Sequence, residues 1–516
     1  MLDDDRPGVP SNEIRGGKRT AEKSIVIIGA GLAGLSTGIY ARMNGYRPHI
    51  FEHHTAPGGV CTAWKRKGYT IDGCIHWLMG AKPGSSFHQM YREVGALEGN
   101  RLIHLDEYGR FVDEASEQSL EITSDLDRLA ADMKALAPED GRVIDELLNG
   151  ARALQGLNMD PGKPMELMGP LDGLKQLWSM RRLLKYAIRY NTSVATFAER
   201  IHNPFLRWAV TNFFVPEMPV VFLFAILGQL ADGRLAVVEG GSLNFSRAIA
   251  RRYRDLGGEV TYGATVEEIL VEDDRAVGVR LADGSEHRAD VVVSAADGYS
   301  TIFKMLGGRY VDQKIRDRYD NWPLFRPLLI VSFGVTLRFP DLPSVNTVRL
   351  QRPLVIAGWR VEGMLFRVFN HDPTLAPAGK TVVQATLETD FDYWYELQAD
   401  RPRYEAEKER VAEEVLDRLE FHLPGIASHV EMSDVATPYT FWRYTRNYRG
   451  AFEGWLMTPE MLRTRVEKTL PGLENFYMAG QWVEPGGGIP PALHSGRQVV
   501  QILCHRDGKE FSTSVP

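Results

Sequence analysis

The chain has 516 residues, with 60 Lys or Arg against 67 Asp or Glu, and its formal net charge is −7. This length predicts about three domains with a sizeable buried core, and a hydrophobic fraction of 44% is typical of a globular protein rather than a disordered or fibrous one. The acidic balance argues against a nucleic-acid-binding protein. Three scattered cysteines exclude a disulfide framework or a Cys-based zinc site and favour a reducing cytoplasm.

Two stretches bear on export and membrane insertion. Residues 1–20 are polar and lack an apolar segment, so they predict a flexible arm rather than a secretory signal. The most apolar stretch, residues 213–230, is interrupted near one end by Pro216, Glu217 and Pro219. The remaining 220–230 is too short to cross a bilayer and predicts a buried or interfacial helix.

The N-terminal part of the chain predicts a β-α-β unit. Residues 24–28 (SIVII) form an apolar run typical of a strand buried on both faces. The sequence Gly29-Ala30-Gly31-Leu32-Ala33-Gly34 follows, a GxGxxG motif that opens a helix, and the next strand ends at Glu52. These glycines allow a tight turn and close approach of a pyrophosphate to a helix N-terminus, and the acid can accept ribose hydroxyls. The unit predicts a dinucleotide site.

The rest of the chain predicts a second domain and a return to the first. In chain order, the expected elements are helices over 125–208, a hairpin within 259–297, strands at 327–339 and 380–389, a charged helix over 403–423, and a final strand, glycine loop and helix over 475–500.

The distribution of glycines favours FAD over NAD. Gly58 and Gly59 lie just beyond Glu52, and GQWVEPGGGIPPALHSG near the C-terminus places another glycine loop before a helix. A second GxGxxG after a strand is missing from the sequence, so a separate nicotinamide domain is not indicated. The sequence therefore predicts that several distant segments enclose one large dinucleotide.

These motifs resemble the phytoene-desaturase-related FAD flavoproteins: carotenoid desaturases, carotenoid isomerases and retinol saturases, within the flavin amine oxidase superfamily. The resemblance rests on GAGLAGL, the acid at 52, the glycine pair at 58–59, DGCIHWLMG at 72–80, EGGSLNFSRAIA at 239–250 and MAGQWVEPGGGIPPALHSG at 478–496. Val60 stands where desaturases usually carry arginine, and Gln481 replaces a small residue or Asp. GCIHW and GQWVEPGGG are closer to the retinol saturase and isomerase branch.

The resemblance implies a set of cofactor-binding residues. The ADP half would be held by the N-terminal glycine loop and its acid, the adenine by a strand backbone, and the diphosphate, ribityl chain and ring by the later glycine loops. The implied residues are Gly29, Gly31, Ala33, Gly34, Glu52, Gly58, Gly59, Val266, Gly480, Gln481, Gly488 and Ile489.

Candidate catalytic groups near the flavin are His76, Glu484 and His494. Each also fits an ordinary structural role, a satisfied histidine or a loop carboxylate. Neither a metal site nor a Ser/His/Asp pattern stands out in the sequence, so the chemistry is expected to rest mostly on the flavin.

Residues 171–208 carry seven basic residues against two acidic ones. Leu174, Leu177, Trp178, Leu184 and Ile188 fall on one helical side, a composition typical of a membrane-surface helix. Together with the apolar stretch that follows, residues 171–230 predict peripheral contact with the cytoplasmic face of a membrane. An ordinary core helix with a solvated basic face explains the pattern equally well.

The sequence thus predicts an α/β protein in which a Rossmann-like FAD-binding domain (21–110, 240–310 and 450–510) is interleaved with a mixed-sheet-plus-helices domain that faces substrate and membrane (111–239 and 311–449). The expected function is FAD-dependent oxidation, reduction or isomerisation of C–C bonds in an apolar isoprenoid or polyene lipid, in a pocket lined by Phe213, Phe214, Phe222 and Phe224. The electron acceptor or donor is left open. The alternatives are an amine-oxidase-like flavoenzyme with a soluble substrate and a prenyl-lipid-binding protein of the same fold.

Overall fold

A computed structural model describes residues 22–158 and 162–516 of the chain. The arm predicted at 1–20 lies outside the described residues. The described residues form an α/β structure with five sheets, of five, three, seven, two and two strands. The predicted α/β fold class is confirmed.

The described strands are numbered in chain order. They are β1 (Ser24–Ile28), β2 (Arg47–Glu52), β3 (Ala63–Arg66), β4 (Tyr69–Asp72), β5 (Leu102–His104), β6 (Glu107–Asp113), β7 (Ser119–Thr123), β8 (Ala236–Val238), β9 (Glu259–Tyr262), β10 (Val266–Glu272), β11 (Arg275–Leu281), β12 (Glu286–Arg288), β13 (Val291–Ser294), β14 (Leu328–Val335), β15 (Val345–Ile356), β16 (Trp359–Val368), β17 (Thr381–Glu388), β18 (Val430–Ala436) and β19 (Phe476–Met478).

The described α-helices are spread along the chain, with the largest group between β7 and β8. They are α1 (Leu32–Met43), α2 (Ser86–Glu93), α3 (Leu126–Leu136), α4 (Gly141–Leu154), α5 (Pro170–Ser179), α6 (Arg181–Arg189), α7 (Val194–Ala198), α8 (Pro204–Asn212), α9 (Val220–Ala231), α10 (Ser242–Asp255), α11 (Gln313–Asn321), α12 (Phe391–Leu397), α13 (Arg401–His422), α14 (Pro438–Thr445) and α15 (Ile489–Arg506).

The first sheet is parallel, with strand order β19-β13-β1-β2-β9. Its central strand β1 is apolar throughout because its two faces meet different cores. Ile25 and Ile27 pack in the core that includes α1 and α15, whereas Val26 and Ile28 pack with β10 and β11. The strands come from three separate stretches of chain, so this sheet is assembled from distant segments.

The second large sheet has the order β18-β14-β17-β16-β15-β6-β7 and is antiparallel except at β6 and β15. The charged helix α13 packs its apolar side against this sheet, where Val411, Val415 and Leu419 are buried. Gln384 and Arg367 of this sheet donate to the carbonyl oxygens of Asp72 and Ile75, so segment 72–77 is attached to it. The exact domain boundaries stay a prediction.

The helices between β7 and β8 enclose a separate apolar core. Helix α9 is buried along nearly its whole length within this core. Of the two predictions for residues 220–230, a buried or an interfacial helix, the structure therefore shows the buried one. The predicted amphipathic helix is split at Met180 into α5 and α6, and neither helix has a fully buried residue. Within the described parts of the chain, none of the helices is both long and apolar enough to cross a membrane.

Candidate functional site

The first glycine loop, residues 29–34, joins β1 to α1, and its three glycines have different roles. Gly29 has a φ of +97°, and its N–H donates to the Phe51 carbonyl oxygen at 2.8 Å. A Cβ on Gly34 would lie 2.0 Å from the Gly29 carbonyl oxygen, so this position must stay bare for the helix to pack. A Cβ on Gly31 would meet no protein atom within 4 Å. Gly31 therefore borders open space at the N-terminus of α1.

Helix α1 offers its N-terminus to an anion. Gly31 is its N-cap, lacks a side chain to bond the first N–H groups, and is followed by a first turn without an acidic residue. The unbonded N–H groups and the helix dipole favour a negative charge there. The loop thus fits a diphosphate, as the GxGxxG motif predicts.

Glu52 lies at the end of β2, directly beside this loop. One carboxylate oxygen accepts from the Ala30 N–H at 2.6 Å and the other from the His54 N–H at 2.7 Å. Burial raises the pKa of Glu52, and the two N–H donors oppose that rise. A carboxylate has about four acceptor sites, so the anchored group retains capacity for ribose hydroxyls.

The second glycine loop lies on the first. The Gly58 N–H donates to the Ala30 carbonyl oxygen at 2.9 Å, and Gly58 forms a bridge with Gly31. A Cβ on Gly58 would approach the Cys61 carbonyl oxygen to 2.4 Å, and one on Gly59 would lie 3.5 Å from the Gly31 Cα. Both glycines therefore help form the backbone cradle next to α1.

A third segment, the C-terminal glycine loop (residues 480–488), closes the cradle. A Cβ on Gly480 would lie 3.5 Å from the Ala33 Cβ. Gly488 is the N-cap of α15, again without a side-chain cap, and is followed by Ile489. The Ser36 hydroxyl donates to the Leu493 carbonyl oxygen at 2.6 Å, which holds α15 against α1. Three distant stretches thus meet, and their bare backbone fits one extended dinucleotide.

Two further predicted contacts lie at the edges of this cradle. Val266 is buried at the start of β10, two residues after Ala264, whose N–H donates to the Glu52 carbonyl oxygen. Gln481 contacts Gly454, and its amide donates to the Ala451 carbonyl oxygen at 3.5 Å. The roles of both residues toward the cofactor stay predictions.

The three candidate catalytic groups are held in different ways. Burial and nearby Arg367 lower the pKa of His76 to about 3, so His76 is neutral at physiological pH. Glu484 forms an ion pair of 3.0 Å with the buried Lys468. His494, near the start of α15, contacts the Gln498 amide at 3.1 Å. Their catalytic roles stay predictions.

Several side chains are surrounded by protein yet remain partly exposed, and they therefore face an internal space. Cys74, His76, Tyr108 and Glu453 have this property. Cys74 and Glu453 interact electrostatically, and the Trp77 ring lies 6.2 Å from that of Tyr108. We infer from these neighbours one interior cavity beside the glycine loops.

The apolar wall of the interior cavity is aromatic. Tyr108 stacks on Phe213 at 4.2 Å and donates to its carbonyl oxygen. Partly buried side chains continue this wall around Met218 and Leu456; they are Phe214, Phe222, Phe452 and Met457. Phe224, expected in the pocket, is instead fully buried, with its ring among those of Tyr190 and Phe197.

A buried polar cluster fixes the other side of the cavity. The Asp72 carboxylate accepts from the Ser242 N–H at 3.2 Å, and burial raises its pKa while Arg367 opposes this. Arg367, only 2% exposed, donates to the Ile75 carbonyl oxygen at 3.3 Å. Gln384 donates to the Asp72 carbonyl oxygen at 2.9 Å. Segment 72–77, which carries Cys74 and His76, is thus clamped between α10 and the seven-stranded sheet.

Glu453 and Arg367 are site residues that were not predicted from the sequence. Arg367 lies on β16, almost 300 residues after Asp72 in the chain. Local sequence patterns do not reveal that two such distant residues lie close together in the fold. Glu453 had one usable signal, since it is the lone charged residue of the apolar stretch AFEGWLM at 451–457.

Comparison with known proteins agrees with this architecture. Residues 32–504 match the model of the flavin containing amine oxidoreductase family. The chain is 24% identical to the chloroplastic prolycopene isomerase of Arabidopsis thaliana, over 96% of this chain and 85% of the relative. It is 25% identical to the neurosporene-forming phytoene desaturase of Rhodobacter capsulatus, over 93% of each.

Among solved structures, an oxidoreductase from Methanosarcina mazei superimposes with a TM-score of 0.59 at 18% identity. The match covers 93% of this chain and all of the other, and it supports the fold. Both the predicted resemblance and the predicted cofactor are confirmed. The chain belongs to the flavin containing amine oxidoreductase family, in the group related to carotenoid desaturases and isomerases, and is an FAD-dependent oxidoreductase.

Proposed function

We propose that the protein acts on C–C bonds of an apolar polyene or isoprenoid lipid, by removing hydrogen, adding hydrogen or isomerising a double bond. The observation that carries this proposal is the aromatic and apolar wall of the interior cavity, which adjoins the C-terminal glycine loop where a Cβ built on Gly486 would lie 3.4 Å from the Met457 side chain. A polyene offers few polar handles, so a complementary pocket is lined by apolar and aromatic side chains. The relatives named for prolycopene and phytoene support the same substrate class.

The chain's own residues provide binding and exclusion of water. Bound FAD supplies hydride exchange with a substrate carbon. The glycine loops fix the position of the cofactor, and the buried Asp72 and Arg367 hold segment 72–77 as one wall of the cavity. The aromatic residues around Tyr108 and Phe213 keep the reacting carbons away from water, which protects reactive intermediates.

The test is turnover of an acyclic polyene by the purified holoprotein. Polyenes in detergent or vesicles are added with and without oxygen, and the absorption spectrum is followed. Desaturation lengthens the chromophore, saturation shortens it, and isomerisation changes the spectrum without a net redox change. A protein that oxidises soluble amines with release of hydrogen peroxide, and leaves polyenes unchanged, contradicts the proposal. A Gly31→Val variant that lacks FAD but keeps full function indicates a lipid-binding protein instead.

We also propose that the protein contacts an anionic membrane surface through α5 and α6. Apolar side chains on these helices are highly exposed: Leu171 at 75%, Leu174 at 62%, Leu177 at 57%, Trp178 at 69% and Ile188 at 69%. We call this surface the basic apolar patch, because exposed cations surround it; they are Lys175, Arg181, Arg182, Lys185 and Arg189.

The composition of this patch matches an interfacial surface rather than a solvated face. Apolar side chains enter the boundary of the acyl chains while cations meet anionic headgroups. The Arg181 guanidinium lies 4.2 Å from the centre of the Trp178 ring. This pair therefore presents an aromatic ring and a positive charge side by side. Helix α9 is buried and takes no part, which narrows the predicted contact from 171–230 to α5 and α6. Since anionic lipids are typical of the cytoplasmic leaflet, we propose that the protein contacts the membrane from the cytoplasmic side.

Sedimentation with vesicles tests the membrane proposal. We expect the protein to pellet with vesicles that contain anionic lipid, less so with neutral vesicles, and to be released in 1 M salt, where the Debye length is about 3 Å. Trp178→Glu should weaken pelleting. Phe421→Glu is the matched control, because Phe421 on α13 has the same exposed fraction of 69%. Equal pelleting of both variants and wild type contradicts the assignment of this patch.

A further inference from the structure

Glu453 lies in a segment that is fixed on two sides. The Phe325 N–H donates to the Gly454 carbonyl oxygen at 3.0 Å, and the Leu456 N–H donates to that of Pro323 at 2.9 Å. On the other side, the Gly486 N–H donates to the Trp455 carbonyl oxygen at 2.9 Å. The backbone around Glu453 is therefore attached directly to the C-terminal glycine loop.

The Glu453 side chain is directed at the glycine loop itself. A Cβ built on Gly488 would lie 3.9 Å from the Glu453 Oε1, and one on Gly487 would come within 2.5 Å of the Glu453 carbonyl oxygen. Gly488 is the N-cap of α15 and, by resemblance, adjoins the flavin ring. The carboxyl group thus borders both the cradle of the cofactor and the interior cavity.

The surroundings of this carboxyl group are apolar. Phe452 and Met457 belong to the aromatic wall, and Trp455 is buried next to it. Among the described residues the Glu453 carboxylate has neither a hydrogen bond nor an ion pair. Burial alone raises its pKa to about 7, so both the protonated and the ionised forms are populated near neutral pH.

The other charged and titratable groups described around Glu453 do not offer an alternative group for proton exchange. From segment 72–77, Cys74 faces it, and His76 stays neutral. In the C-terminal glycine loop, Glu484 is paired with Lys468. On the side of residues 323–326, Arg326 is paired with Glu217 and Glu388.

We propose that Glu453 is the acid–base residue of this site, the group that exchanges a proton with the substrate. The inference rests on the proposed function. Removal of two hydrogens from adjacent carbons forms a double bond and releases one hydride, which would go to bound FAD, and one proton. The Glu453 carboxylate takes that proton and becomes a carboxylic acid. In the reverse direction the acid returns the proton to carbon as the double bond is saturated.

The test compares Glu453→Gln and Glu453→Asp with wild type, all as holoprotein. Glu460→Gln is the matched control, since Glu460 is an exposed acid a few residues along the same segment. The first measurement is the absorbance of bound flavin between about pH 5 and pH 9. Wild type and Glu460→Gln should show a transition with a midpoint at about 7 or above, Glu453→Asp a shifted one, and Glu453→Gln none.

The second measurement is steady-state turnover of the polyene. Loss of a positioned acid–base group should lower kcat of Glu453→Gln by about 100-fold or more, with KM changed less than about threefold and FAD content unchanged. Glu453→Asp should recover part of kcat. A Glu453→Gln variant that keeps kcat and the wild-type flavin titration overturns the proposal.

The two proposals fail in different ways. If wild type converts no polyene, the proposed function fails, and the flavin titration alone then decides on Glu453. A transition that disappears only in Glu453→Gln supports a titrating carboxyl group beside the cofactor. A transition that persists in Glu453→Gln overturns it.

Discussion

At the scale of single residues, the glycines of the first loop are needed for two different reasons. One leaves room for the cofactor, and another lets the helix pack closely on the loop. A side chain at Gly31 would point into space open to at least 4 Å, whereas one at Gly34 would collide with the Gly29 carbonyl oxygen. Gly31 has φ −68° and ψ 176°, an extended conformation that valine adopts readily. The two glycines are therefore needed for different reasons, although both belong to one motif.

Gly31→Val should remove FAD without unfolding the protein. We expect the free energy of unfolding of the FAD-free protein to change by less than about 1 kcal/mol, since no protein contact is displaced. FAD content, measured by absorbance after purification, should fall to background. Gly34→Val is the control and should lower stability as well, because its side chain has no room. An FAD-replete Gly31→Val protein contradicts this assignment of the space.

The titration of Glu453 has a consequence for stability. Its pKa rises from 4.5 to about 7 on folding, so the folded protein holds this proton more tightly than the unfolded chain. Stability is therefore lost as the pH rises from 4.5 through 7, where folding requires a buried carboxylate.

Glu453→Gln should stabilise the FAD-free protein more at pH 8 than at pH 5. After allowance for the partial exposure of the side chain, the gain at pH 8 is expected to be about 2 kcal/mol. Denaturant unfolding at the two pH values measures it, with Glu460→Gln as the unaffected control. A gain that is the same at both pH values contradicts the raised pKa.

At the scale of elements, the contact of α1 with α15 joins the two ends of the cofactor cradle. A Cβ on Gly496 would lie 2.5 Å from the Ala33 carbonyl oxygen and 2.7 Å from the Thr37 nitrogen. These are backbone atoms of α1, which cannot move aside alone. The close approach of the helices therefore depends on the absence of a side chain at Gly496.

Gly496→Ala should push α15 away from α1 and displace Gly488. We expect a loss of about 1–3 kcal/mol in unfolding free energy, as for other overpacked sites, together with weaker FAD binding measured by titration of the FAD-free protein. Gly173→Ala is the control. Gly173 is also helical, but a Cβ there meets nothing within 4 Å, so alanine should be neutral or slightly stabilising. Unchanged FAD affinity in Gly496→Ala contradicts the coupling.

At the scale of the whole molecule, the FAD site is built from both ends of the described chain. The first sheet takes β1 and β2 from the start and β19 from the end, with β13 between them. A chain that stops after Gly450 lacks β19 and α15 and should bind no FAD, as measured by flavin fluorescence. A chain that stops after Gly508 keeps both elements and should bind it. Normal FAD binding by the shorter chain contradicts this interleaved assembly.

The sequence predicted the features that depend on short stretches of chain. GxGxxG between an apolar strand and a helix specifies its own geometry, and the helix expected at 403–423 is present as α13. The break at Met180 was not predicted, since both halves keep the same amphipathic spacing. The burial of α9 could not be decided either, because an apolar helix looks the same whether protein or lipid covers it.

The missed site residues share one physical cause. Asp72 and Arg367 become partners only when a segment near the N-terminus reaches the seven-stranded sheet. Glu453 acquires its raised pKa from burial by segments that are distant along the chain. Such environments arise from tertiary structure, so residue type and spacing do not reveal them.

The packing of α15 on α1 also sets an order of events during biosynthesis. Helix α15 follows every other described helix along the chain, so it leaves the ribosome after them. Until then α1 has its glycine loop but lacks Gly480 and Gly488, and the cofactor has only part of its cradle. FAD must therefore bind after α15 has been synthesised, and a product that terminates before α15 cannot become a flavoprotein.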